Sequence, residues 1–153
     1  MNQRRGPGGI DPVGRSRARR RALQAVYALQ MSGSSANDVV SQFAHEQLRE
    51  VADLSYFEDL VHGVAKHRAA LDETLAPFLD RDIAVVDAIE LAVLRIAAYE
   101  LQHRPDVPYR VVINEAIESV KRFGAEHGHT YVNGVLDHAA AQWRAVEVAA
   151  SRR

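Results

Sequence analysis

Cysteine is missing from all 153 residues. That removes disulfides, thiolate metal sites and cysteine nucleophiles, and leaves the compartment open. Long apolar runs are missing too. The stretch from Ile89 to Tyr99 is interrupted by Glu90 and Arg95, and no segment nears the roughly 20 apolar residues of a membrane span. The N-terminal arginines are not followed by an apolar h-region, so the start does not read as a secretory signal and the expected location is the cytoplasm. Catalytic signatures are equally scarce. H-E-x-x-H, G-x-S-x-G, the P-loop and G-x-G-x-x-G do not occur, and Gly6-Pro7-Gly8-Gly9 lacks the preceding strand and the following Lys-Ser/Thr. Of seven histidines the close pair is His127-x-His129, which reads as a chance pairing in a loop. Glu58 precedes His62 by four residues, not the three that the Glu-x-x-His pairs of the di-metal bundles use. The sequence therefore offers no seat for catalysis, no metal site and no cofactor site.

What is present is the balance of an ordinary globular chain, 47% apolar and 25% charged, at a length that suits one domain. The net charge of −1 hides an uneven distribution. Residues 1–21 hold seven arginines and one acid, a local charge of +6, whereas the remaining 132 residues carry twelve basic and nineteen acidic side chains, or −7. A basic arm on an acidic body suits a chain that touches nucleic acid at one end, although a solvated tail has the same composition. Gly6, Pro7, Gly8, Gly9, Pro12 and Gly14 make residues 1–14 a flexible basic leader, with a folded domain over 15–150.

From Ser16 onward the chain reads as all-α, a compact bundle of about seven helices. Leu23, Val26, Tyr27, Gln30 and Met31 keep helical rhythm until Ser32-Gly33-Ser34-Ser35 stops it. A second helix is expected from Asn37 with Val39, Val40, Phe43 and Leu48 inward. A third is expected from Ser55, where Ser55-x-x-Glu58 forms a capping box, to about Arg68. Leu71 to Leu79 predicts a short fourth helix interrupted by Pro77, before a break at Asp80-Arg81-Asp82. The fifth, about Val85 to Gln102, is the most apolar and is expected at the centre. A sixth runs from Tyr109 to Phe123 with Gly124 as its stop, and a seventh from Thr130 or Tyr131 through Val146.

Arg15, Arg17, Arg19, Arg20 and Arg21 fall within seven residues at a helix start, where positive charge opposes the macrodipole. Such a cost implies an anion waiting nearby. Arg17 and Arg19 are expected near an exposed helix start, so that replacing them leaves the fold intact. Arginine outnumbers lysine seventeen to two, which suits phosphate and base contacts but equally fits a compositional bias of the genome. A second basic spot, Lys121-Arg122-Phe123-Gly124, leads through a loop to Tyr131. Cations beside aromatic faces are what single-stranded RNA uses, although a core position is the commoner use of a residue like Phe123.

Four segments then carry a family resemblance: ArgArgArgAlaLeuGlnAlaValTyrAlaLeuGln at 19–30, AlaValLeuArgIleAlaAlaTyrGluLeu at 92–101, AspValProTyrArgValValIleAsnGluAlaIleGlu at 106–118, and PheGlyAlaGlu with TyrValAsnGlyValLeuAsp within 123–137. Their order and spacing resemble the NusB transcription antitermination family from Arg15 onward. The resemblance implies a seven-helix fold without catalysis. It also implies a partner, the small-subunit ribosomal protein NusE, a boxA target in nascent ribosomal RNA transcripts, and a place in the RNA polymerase antitermination complex. It maps Arg15, Arg17, Arg19 and Arg20, with Phe123, Gly124, His127 and Tyr131, to the RNA side, and Tyr27 and Glu90 to the partner side. Glu90, an acid on an apolar helix, suits a basic partner and would equally suit a solvated position. Tyr131 stands where the family often has phenylalanine, and His127 where well-known members carry an acid. Gly134 is expected to let a neighbouring helix approach. Some family members dimerise and others do not, so a homodimer is left open.

Two other classes compete. A NusB-like module of an RNA-modifying system is one. The 153 residues leave no room for a methyl-donor domain, so the chain would be a stand-alone accessory domain. A helix-turn-helix DNA regulator needs a basic recognition helix after a tight turn, and the later helices are acidic or apolar.

Overall fold

The structure is a computed structural model and describes residues 11–47 and 53–152. Residues 1–10 of the expected leader, Leu48 of the second helix and Arg153 lie outside the described residues. Among those described there are seven α-helices and no strand, so the expected all-α class holds, but the chain divides differently from the expectation.

Helix α1 spans Pro12–Ser32. It begins before Ser16 because Pro12 occupies the first turn, where its missing N–H costs nothing. Gly14 is buried in α1 rather than breaking it. Residues 12–14 of the expected leader are thus helical. The stop is as expected: Gly33 adopts φ +73°, and its N–H reaches the Leu29 carbonyl at 3.1 Å. Helix α2, Ala36–Gln47, is capped by Ser35, whose Oγ accepts from Asp38 N–H at 3.1 Å, and it buries Val39 and Val40.

Helix α3 corrects two expectations. Its cap is Asp53, which accepts from Tyr56 N–H at 3.1 Å, so Ser55 lies inside the helix. It also runs unbroken over Leu54–Leu75. Leu71 and Leu75 are fully buried and carry it past Arg68, while Pro77 falls in the 3-10 turn Ala76–Phe78 and ends a helix that has already closed. Two expected helices are one.

Helix α4, Ala88–His103, starts three residues after Val85, which lies exposed in a separate 3-10 turn. Asp87 sets the start by accepting from the N–H groups of Ile89 and Glu90 at 3.0 and 3.1 Å. Every residue from Ala92 to Leu101 is buried, and α4 packs against α1, α3, α5 and α6, the central place its apolarity predicts. At Gly63 of α3 a Cβ would come within 2.3 Å of the Tyr99 ring, so that glycine permits close α3–α4 packing.

Helix α5 is Tyr109–Phe123, with the expected ends. Helix α6 is Gly128–Trp143, beginning before Thr130, and α7 is Ala145–Ser151. Arg144 separates the last two: its guanidinium donates to the carbonyls of Leu101 at 2.8 Å, Arg104 at 3.0 Å and Glu100 at 3.3 Å. A cation thus gathers the carbonyls at the end of α4. Glu147 of α7 completes the join by accepting the Tyr109 N–H at 2.9 Å, which caps α5.

Candidate nucleic-acid and partner interface

The helix-start arginines divide by the geometry of α1. Residues four apart share a face, so Arg15 and Arg19 turn inward with Ala22, Leu23 and Val26, while Arg17, Arg20 and Arg21 turn toward solvent to differing degrees. Arg19 is only 5% exposed. Its Nε meets both carboxylate oxygens of Glu100 at 3.0 and 3.1 Å, and a terminal nitrogen adds a bond at 2.8 Å. The Tyr56 hydroxyl donates a short bond to the same carboxylate. Burial alone would lower the Arg19 pKa, but the hydrogen bonds and charge of Glu100 outweigh it and hold the guanidinium above its ordinary value. Burial first, and then the Glu100 carboxylate, push the Tyr56 phenol up.

Arg15 sits 4.2 Å above the Tyr56 ring, with Asp53 and Asp106 each 3.7 Å from its guanidinium. Arg104 covers the same ring at 4.7 Å while bonding Asp59 and Asp106. The anions that offset Arg15 and Arg19 are therefore the protein's own. Arg19 is corrected from a solvent-facing arginine to the centre of a buried network, and its replacement cannot leave the fold untouched.

The outward arginines form a different site. Arg20 and Arg122, from α1 and α5, line one cleft with Ser16, Ser119, Glu115 and Glu118. Arg17, Lys121 and Arg122 are exposed, and Phe123 is 37% exposed at the end of α5. The two acids temper the cleft, and the basic character lies mainly on its rim. Arg15 does not line this cleft, its guanidinium lying over the Tyr56 ring.

Around the expected loop the aromatic is already occupied. The Arg81 guanidinium stacks 4.2 Å over the Tyr131 ring and holds Asp80 by a bond of 2.6 Å, so one face of Tyr131 is covered. His127 is exposed. Gly124 is extended rather than left-handed (φ −99°, ψ −175°), and a Cβ there would come 2.9 Å from the Val120 carbonyl oxygen, so crowding explains the glycine. Gly134, by contrast, is exposed with no atom within 4 Å of a Cβ position, which overturns its expected packing role.

On the partner side, Tyr27 is half-buried on α1, and the next turn's Gln30 donates to the Ala88 carbonyl at 3.0 Å. Gln30 also accepts from Arg95, which is paired to Asp72 by two bonds of 2.8 Å, tying α1, α3 and α4 together. Glu90 is not a solvated position: it is 6% exposed, and burial, then Asp87, push its carboxyl pKa up against the pull of Arg81. Composition singled out neither Arg81 nor Glu100, since Asp80-Arg81-Asp82 read as a break and Glu100 as part of an apolar helix. Among the described residues no group of three or more potential ligands gathers as a metal site, and no helix is long and apolar enough to cross a membrane.

Comparison with known proteins agrees with this architecture. The NusB family pattern matches residues 16–141. The transcription antitermination protein NusB of Xanthomonas axonopodis pv. citri is 72% identical over 143 residues, covering 94% of this chain and 90% of the relative. That of Stenotrophomonas maltophilia is 70% identical over 139 residues, covering 91% and 87%. The solved NusB of T. maritima superimposes with a TM-score of 0.77 at 25% identity, covering 91% of this chain and 94% of that one. A NusB solved with NusE and double-stranded RNA also reaches 0.77, at 22% identity and with 86% and 97% covered, a likeness of fold. With matching segments along nearly its whole length and the same helical architecture, the chain belongs to the NusB family.

Proposed function

We propose that the protein is a non-catalytic transcription antitermination factor of the cytoplasm. It binds boxA RNA of nascent ribosomal RNA transcripts together with NusE, within the RNA polymerase antitermination complex. The observation that carries this reading is the convergence of Arg20 from α1 and Arg122 from α5 on one cleft, with Arg17 and Lys121 exposed on the same two helices. Guanidinium groups on a rigid two-helix frame can pair with successive phosphates, while Phe123 and His127 offer stacking faces at the adjoining loop. Arg15 and Arg19 serve this surface from within, by fixing α1 to α3 and α4. Tyr27 of α1 supplies the partner face. The relatives named as antitermination proteins, and the NusB solved with NusE and RNA, support the same reading.

Fluorescence anisotropy tests it: labelled boxA RNA and a scrambled control are titrated with the protein, with and without NusE. A preference for boxA that sharpens with NusE is expected. Equal, purely salt-driven binding to both RNAs would overturn it.

A further inference from the structure

The N-terminus of α6 lacks a side-chain cap. His127 precedes it without a capping hydrogen bond, and Thr130 N–H reaches the His127 carbonyl at 3.3 Å. A helix start favours nearby negative charge, and here that charge comes from another helix. A Cβ on Gly128 would lie 2.4 Å from Glu90 Oε2 and 3.1 Å from Glu90 Cδ, so this carboxylate presses on the first residue of α6. Its neighbour Ile89 reaches the other end of the connection, with Cγ2 3.6 Å from the Cβ position of Gly124. Val120 Cγ1 lies close to both glycines, 3.0 Å from one Cβ position and 3.1 Å from the other. Segment 124–128 is thus seated between Val120 and the first turn of α4. Only glycine fits at either end without displacing a neighbour.

Keeping a carboxylate in this place is costly, because burial and Asp87 both disfavour its charge. A group 6% exposed also has little surface to offer a macromolecule. We infer that Glu90 is a positioning residue: it fixes the start of α6, and with it the segment 124–131 that carries His127 and Tyr131, rather than touching RNA or partner. The functional half of this inference rests on the RNA-binding reading above. Its structural half does not.

The test uses the full chain with Glu90→Ala, Glu90→Gln and Gly128→Ala, hydrogen–deuterium exchange over 124–131, and separate affinities for NusE and for boxA RNA with NusE present. Glu90→Ala and Gly128→Ala should each speed exchange of that segment by about tenfold while leaving α3 protected. They should weaken RNA binding by about tenfold and leave NusE affinity within about twofold. Glu90→Gln, which keeps the shape, should restore most of the protection and affinity. Unchanged exchange in Glu90→Ala would overturn the inference, as would faster exchange with unchanged RNA affinity. Lost NusE affinity with protection intact would make Glu90 a partner contact instead. If the unaltered protein fails to bind RNA, the proposed function fails, while the exchange data still decide what Glu90 holds.

Discussion

Arg17 and Arg19 stand two residues apart on one helix and do opposite things. Arg17 faces solvent, whereas Arg19 is 5% exposed and locked to Glu100 and Tyr56. An arginine-rich helix start is therefore not a uniform nucleic-acid arm. Its inward members spend their charge on the protein's own acids and orient the helix, whereas Arg17 keeps its side chain exposed to solvent.

The sharpest way to break the comparison is to remove the inward cation. Arg19→Ala would strand Glu100, which is 1% exposed, and should cost about 3–5 kcal/mol of unfolding free energy in a denaturant titration, whereas Arg17→Ala should stay within about 0.5 kcal/mol. Equal effects would erase the distinction. A smaller loss is expected where α3 and α4 approach closely. Gly63→Ala drives a methyl into the Tyr99 ring and should cost about 1–3 kcal/mol, read as a lower denaturation midpoint. No loss there would mean that Tyr99 moves freely.

The smallest effect concerns pH. His103 stacks on His67 and Tyr99 at ring distances of 4.3 and 5.1 Å. Burial first, and then His67, lower its pKa from the ordinary 6.5, with Asp59 acting in the opposite direction. The folded state therefore prefers the neutral ring. The associated stability is present above pH 6.5 and is lost as the pH falls through the lowered folded value. His103→Asn should flatten this acid-side decline in thermal midpoint, and an unchanged slope would assign the decline to other groups.

The helical class was legible because apolar spacing reports it directly, and the ends of α5 followed from Tyr109, Pro108 and Gly124. The central place of α4 followed from its composition. Local competition hid other features. Aspartate and serine are both favoured at helix starts, so Ser55 competes with the true cap Asp53 in the sequence, and tertiary packing of Leu71 and Leu75 decides that α3 continues to the proline turn. Long-range pairing hid more. Arg19 finds Glu100 and Arg81 finds Tyr131 across distant parts of the chain, so charge pattern alone separates neither cation from its exposed neighbours. The glycines divide the same way: Gly128 is crowded by a carboxylate from α4, and Gly134 by nothing.

The most direct test follows boxA RNA binding, with NusE present, as a function of salt for the unaltered protein and for Arg17→Ala/Arg20→Ala, alongside their unfolding free energies. If the outward arginines meet phosphates, the log–log salt slope should fall by about 1.4 while stability changes by less than about 1 kcal/mol. An unchanged slope, or a stability loss as large as that of Arg19→Ala, would contradict the division of α1 into an inward structural face and an outward RNA face.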